Sequence, residues 1–312
     1  MTDWMTFGAA TALGTLLLLY FTRRSQRTLE RVRIVDDPTD LREYGPEGSD
    51  PEAVSKDHAV GDDIEDVHGD DIEDVHGDGF RATHAADVDA THADDATYTD
   101  DGDLPLPGSR TEPTLTTDLL LANVAASQGL ALVGLATVMW WTGVPAVAVG
   151  LAADPAGVVL GWGVAAGVLL YVGNEIAAGL GTRVGATAPE RLREAMAPAD
   201  ARGWVLLLGV VLPIIAVFEE LLFRGALIGA MAFGFGIDPW LLAVGSSVAF
   251  GLGHGAQGQI GIVVTGVLGF ALAAVFVVTG SLLVVVVAHY VVNALEFVVH
   301  EGFDRDPAAA IG

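Results

Sequence analysis

Phe218-Glu219-Glu220-Leu221-Leu222-Phe223-Arg224-Gly225 sets three charged side chains inside an apolar run, 204–233, long enough to span a bilayer. A charge at mid-membrane costs at least ~2.5–3.5 kcal/mol, so ionisable residues within a span are read as functional. Apolar segments of spanning length recur on both sides, at 118–141, 157–180, 239–256, 259–279 and 281–299. Two of them carry a histidine, His254 and His289, and Asn293 follows His289 by one helical turn. The fold expected is all-α, a polytopic transmembrane helical bundle of about seven spans.

The first span is Trp4–Thr22, about 19 residues against the ~20 that cross the hydrocarbon core. Arg23, Arg24, Arg27, Arg31 and Arg33 follow it, which places this end in the cytoplasm and the N-terminus outside. A secretory leader would carry its positive charge before the apolar run. The loop 142–155 lacks Lys and Arg, whereas 181–203 holds Arg183, Arg191, Arg193 and Arg202. That alternation agrees with a multi-pass cell-membrane protein whose linker is cytoplasmic. The domains expected are an N-terminal transmembrane helix (1–22), a juxtamembrane and linker segment (23–117), a six-helix core (118–300) and a short tail (301–312).

The chain is 52% hydrophobic yet carries a formal charge of −25, because the two properties occupy different regions. Asp36–Thr117 holds 25 of the 40 acidic residues and only four basic ones, a composition that favours disorder. Residues 61–92 form four octads ending in His68, His76, His84 and His92, two of them identical copies of GDDIEDVH. The repeat is consistent with expansion of a solvated linker, or with loose binding of divalent metal. Fourteen of the 15 basic residues are arginine, and with the acidity this points to a salt-loving, haloarchaeal source, where molar salt screens self-repulsion within roughly 3 Å. Cysteine is absent, which excludes disulfides, thiol catalysis and Cys-based zinc sites. The charge excludes a nucleic-acid partner, and no GxxxxGK[ST] loop supports nucleotide binding. Neither HExxH nor GxSxG occurs.

Adjacent helix residues lie ~100° apart, so Glu219 and Glu220 cannot point the same way. Arg224 stands four residues after Glu220, the spacing at which Glu and Arg meet on one face. Glu220 therefore pairs with Arg224, leaving Glu219 free as a general base. A buried ion cluster or a water-filled transport path is the alternative. Counting from a turn at Gly236-Ile237 brings Glu219 and His254 to matched depth, ~25 Å along antiparallel helices, though a histidine near a helix end also serves as a cap. His289 and Asn293 share a face and suit metal ligation and oxyanion stabilisation, or a polar contact between helices. From Gly280-Ser281, His289 comes out ~10 Å shallower than Glu219. Glu296 and His300 are expected toward the water interface.

EExxxR, FxxxH and HxxxN, carried in order by Glu219–Arg224, Phe250–His254 and His289–Asn293, resemble the motifs of the CAAX-protease and bacteriocin-processing family. That family of intramembrane peptidases includes the eukaryotic type II CAAX prenyl endopeptidases and the bacterial Abi proteins. The resemblance covers roughly 118–300. It implies an endopeptidase in which Glu219 activates water, Glu220 and Arg224 support it, and His254, His289 and Asn293 position water, ligate metal or stabilise the oxyanion. Glu219, His254 and His289 could complete a three-ligand site for Zn2+ or another divalent metal with one position open, Glu219 then being ligand or base but not both. The partners implied are the bilayer and a membrane-anchored or lipidated peptide or protein. A proton-coupled transporter using the same groups, and a non-catalytic immunity-type protein, are the rivals.

Overall fold

The computed structural model describes residues 1–29, 33–35, 114–152, 155–183 and 191–303. The octad repeats and nearly all of the acidic linker lie outside the described residues, as do 304–312 of the tail. The described helices are α1 (Trp4–Leu29), α2 (Thr117–Thr142), α3 (Ala156–Arg183), the short α4 (Arg191–Met196), α5 (Ala201–Phe235), α6 (Pro239–Gly253), α7 (Gly258–Thr279) and α8 (Leu282–Gly302). Arg33–Val35 (β1) pairs in parallel with Thr114–Thr116 (β2), the one sheet among the described residues.

Six of these helices are long and apolar enough to cross a membrane. The exception is α6, whose 15 residues rise only ~22 Å against a core of about 30 Å. The seven-span expectation therefore resolves into six full-length helices and one shorter apolar one. Leu130, Trp140, Trp162, Leu169, Val263 and Val278 are exposed, as side chains facing lipid must be. The bundle is a multi-pass membrane protein.

Local chemistry sets the boundaries. Thr116 caps α2 by accepting from the Leu119 N–H, and Gly143 ends it with φ 71. Asp238 accepts from the N–H groups of Trp240 and Leu241 to start α6, with Pro239 in its first turn. Gly236 and Gly280 close α5 and α7 in left-handed conformations. Within α5, Leu207–Val211 and Leu221–Ala230 are π-helical, the second beginning immediately after Glu220. Such widened turns recur at functional positions in helices.

The most extensive helix contacts are α3 with α8 and α6 with α7. The α3–α8 approach depends on Gly163 and Gly167. A Cβ at Gly163 would lie 2.6 Å from Val287, and one at Gly167 would lie 2.7 Å from the Ala288 carbonyl oxygen. In a bilayer, where apolar surface alone gives no drive to associate, small residues at this spacing let backbones close to contact. The packing fixes the face of α8 that carries His289.

Candidate functional site

Charge in an apolar bundle needs a partner, and Arg224 and Glu220 supply each other. Arg224 Nη1 donates to Glu220 Oε1 at 2.8 Å, with the side chains 1% and 0% exposed. The same guanidinium donates through Nη2 to the Gly269 carbonyl oxygen at 2.7 Å and lies 4.6 Å over the Phe250 ring. At Gly269 a Cβ would meet that ring at 2.8 Å, so α7 approaches only because the side chain is missing. This is the Glu220–Arg224 pair expected from the spacing.

Glu220 has a second duty. His289 Nδ1 lies 2.7 Å from the same Oε1, and a carboxylate can only accept, so Nδ1 is the donor. The remaining His289 nitrogen, Nε2, then presents its lone pair at 3.8 Å from Glu219 Oε2. His254 repeats the pattern. Its Nδ1 is 2.9 Å from the Phe250 carbonyl oxygen, again an acceptor, which leaves Nε2 facing Glu219 Oε2 at 3.9 Å. A histidine fixed by a carboxylate or carbonyl on one nitrogen is oriented for work on the other.

Glu219 Oε2 is buried and has no hydrogen-bond partner. With both imidazoles neutral, one carboxylate oxygen and two Nε2 lone pairs therefore converge, three acceptors without a donor. Such an arrangement is satisfied by a proton, a water or a cation between them. The donor set fits a divalent metal in kind, being two imidazoles and one carboxylate. Its spacing is open, because these three atoms do not all draw within 4.8 Å of one another; among the described residues only Glu175, Glu296 and His300 do that.

Phe250 is the residue whose part sequence reasoning missed. Its carbonyl orients His254, and its ring packs edge-on against Phe223 at 5.0 Å and, tilted by 45°, against the His254 ring at 4.6 Å. One residue thereby ties α5, α6 and both charged motifs together. Asn293 is partly exposed one turn beyond His289, and no side-chain hydrogen bond holds it among the described residues. An apolar cleft of about 400 Å³ between α6 and α7 is lined by Val248, Gly251 and Val267 among others, and none of the polar site side chains lines it.

Matched depth of Glu219 and His254 holds, but the ~10 Å offset assigned to His289 is corrected. The count treated Gly236 and Gly280 as level turns. Instead Leu282 N donates to the Gly150 carbonyl oxygen at 2.9 Å, while Val149 packs on Gly225 and a Cβ at Gly229 would meet the Ala148 oxygen at 2.6 Å. The Gly280 turn is thus level with Gly225–Gly229, and α5 continues about two turns past it. From that level Glu219 and His289 are equally deep, ~12 Å each. Glu296 and His300, expected toward the water interface, lie in the last turns of α8 and are partly exposed. Both are packed against α3, where His300 Nε2 meets Glu175 Oε1 at 2.9 Å and its side chain is 7% exposed.

Residues 201–295 match the profile of the family described as type II CAAX prenyl endopeptidase Rce1-like. The matched stretch contains Glu219, Glu220, Arg224, His254, His289 and Asn293. No curated protein and no solved structure matches the chain.

Proposed function

From the match of residues 201–295 to the Rce1-like CAAX-protease profile, we propose that Glu219 activates a water molecule to hydrolyse a peptide bond of a membrane-associated substrate. The observation that carries this reading is the convergence of Glu219 Oε2 with the two Nε2 lone pairs, at 3.9 and 3.8 Å. A water in that gap can donate to the carboxylate and to an imidazole, which aims its oxygen lone pair outward.

As that oxygen attacks the carbonyl carbon, Glu219 takes its proton. The same proton then passes to the departing nitrogen as the C–N bond breaks, and the new carboxylic acid gives up its own proton, so that the products are a carboxylate and a protonated amine. Negative charge gathers meanwhile on the former carbonyl oxygen. The free amide of Asn293, one turn from His289, is the side chain suited to donate to it. Glu220 and Arg224 touch no substrate in this scheme; they hold His289 in its tautomer and neutralise each other. If a metal is bound, Glu219 would instead join His254 and His289 in holding Zn2+ or another divalent metal, which would supply Lewis acidity there, and would not then serve as the base.

A membrane-anchored or lipidated peptide is the substrate class that suits this position, because lipid is the route by which such chains reach a bundle of spanning helices. We place the N-terminus outside and the linker in the cytoplasm, from the arginines after α1. The test is cleavage of a library of membrane-anchored reporter peptides in high-salt proteoliposomes by wild type and Glu219→Gln. Products that vanish with the substitution are expected, and they would reveal the sequence preference. Equal cleavage by both proteins would remove Glu219 from the mechanism; proton flux dependent on Glu219 without any cleavage would establish a transporter instead.

A further inference from the structure

Near the end of α8, outside the family match, a second group of ionisable side chains is buried between two helices. Glu175 comes from α3, and Glu296 and His300 come from α8. Each offers a ligand atom, and the three lie within 4.8 Å of one another. His300 Nε2 is 2.9 Å from Glu175 Oε1 and 3.6 Å from Glu296 Oε2. Neighbouring groups hold the cluster in place: Asn174 Nδ2 donates to Glu296 Oε1 at 2.7 Å, and Arg193 Nη1 lies 3.4 Å from Glu296 Oε2 while its Nε donates to Glu301 Oε1 at 2.8 Å.

Those contacts leave two oxygens aimed inward with nothing to meet. Glu175 Oε2 and the Tyr171 hydroxyl are buried without a hydrogen-bond partner, in residues 6% and 9% exposed. Tyr171 stands one helical turn before Glu175, and its hydroxyl is within electrostatic reach of both Glu175 and Glu296. Orphaned buried oxygens are rare in folded proteins and call for an ion or a water. Here the charge selects between them, since among the described residues the three carboxylates Glu175, Glu296 and Glu301 have ion pairs with one permanent cation, Arg193, made through Glu296 and Glu301.

We propose that Glu175, Glu296 and His300 form a second site, for a divalent transition-metal cation, that clasps α3 to α8. Two carboxylates and an imidazole suit a borderline cation such as Zn2+, Co2+ or Mn2+. Binding frees Nε2 of His300 of its proton, which goes to solvent from the imidazolium or moves to Nδ1 in the neutral ring, and replaces the His300–Glu175 hydrogen bond by two metal–ligand bonds. Asn174 and Arg193 orient Glu296, as outer partners orient ligating carboxylates. Along α8 the cluster begins ~10 Å beyond His289, so the cation would anchor the helix that presents His289 without touching the reacting atoms.

The experiment is a Co2+ titration of full-length, chelator-stripped protein, read by visible absorption and by X-ray absorption at the cobalt edge. All proteins carry His58, His68, His76, His84 and His92→Ala, which removes every linker histidine. One variant adds Glu219→Gln, His254→Ala and His289→Ala; another adds Glu175→Gln and His300→Ala. The first variant is expected to retain one equivalent of Co2+ ligated by a single imidazole and oxygen donors, and the second to lose that equivalent. No Co2+ in the first variant, two or more imidazoles around its metal, or the same equivalent persisting in the second would each overturn the site. The first variant decides the matter alone if the second fails to fold. Because it lacks Glu219, its result does not depend on whether the chain is a peptidase.

Discussion

Helix α8 delivers one histidine to each of two buried polar clusters, and the two are built differently. At His289 the bonded nitrogen is Nδ1, held by Glu220, while Nε2 stands 3.8 Å from Glu219, beyond direct hydrogen-bond distance. At His300 it is Nε2 itself that contacts Glu175, at 2.9 Å, and the second carboxylate is pinned by Asn174 and Arg193. The first cluster is oriented but left open; the second is drawn closed. Catalytic sites keep a position free and structural ones fill it. The difference suits the proposed division, with reaction at the first cluster and helix anchoring at the second.

Breaking the support of the open cluster should have the largest effect on the fold. Arg224→Met removes the only permanent cation beside Glu220, whose side chain is fully buried. Leaving one partner of a buried pair uncompensated costs about 3–5 kcal/mol, so a large fall in thermal midpoint is expected. An unchanged midpoint would mean that Glu220 is already neutral. Closing the space between α3 and α8 comes next. Gly167→Val forces a side chain into the 2.7 Å gap at the Ala288 oxygen and should cost ~1–3 kcal/mol, read by denaturant unfolding. The sharper result is that it displaces both clusters together, since both depend on the α3–α8 contact.

Asn293→Ala should separate chemistry from stability. No side-chain hydrogen bond is lost among the described residues, so stability should move by less than ~0.5 kcal/mol. Removal of an oxyanion donor would lower kcat ~10²–10³-fold. A stability loss with kcat intact would make Asn293 a packing residue. The smallest effect belongs to Asp3, at the start of α1. The Thr6 hydroxyl and N–H, donating at 2.6 and 3.0 Å, hold its carboxyl below the usual carboxylate value. A depressed carboxyl contributes its stabilisation above the unfolded pKa and loses it as pH falls through the folded one. The protection factor of the Thr6 amide should therefore fall on acidification through that range, and a pH-independent protection factor would remove the cap.

Much of this was legible in the residues, for identifiable reasons. Glu220 and Arg224 are local in sequence, so helical spacing alone pairs them. Glu219 and His254 flank a single turn, and counting from Gly236 brings them level. His289 defeated the count because its depth depends on Ala146–Val149, a short 3-10 segment wedged against Gly225 and Gly229. No periodicity encodes such a wedge. The part of Phe250 runs through its backbone oxygen, which every residue has, so residue type carried no signal for it. Glu175 is different: an acidic residue inside an apolar span was the same signal that singled out Glu219. Its partners, 121 and 125 positions away at Glu296 and His300, resemble a solvated helix end until α3 is seen beside them.

The central claim is that the Glu219 cluster accepts a cost in stability to keep three acceptors facing one another. Single-turnover cleavage and thermal unfolding of Glu219→Gln, measured on the same preparation, test it most directly. Glutamine offers an amide donor to the two Nε2 lone pairs, so the account predicts a rate lower by ~10²–10⁴-fold with a thermal midpoint equal to or above that of wild type. A midpoint several degrees lower with cleavage retained would contradict it, and would make Glu219 a structural residue.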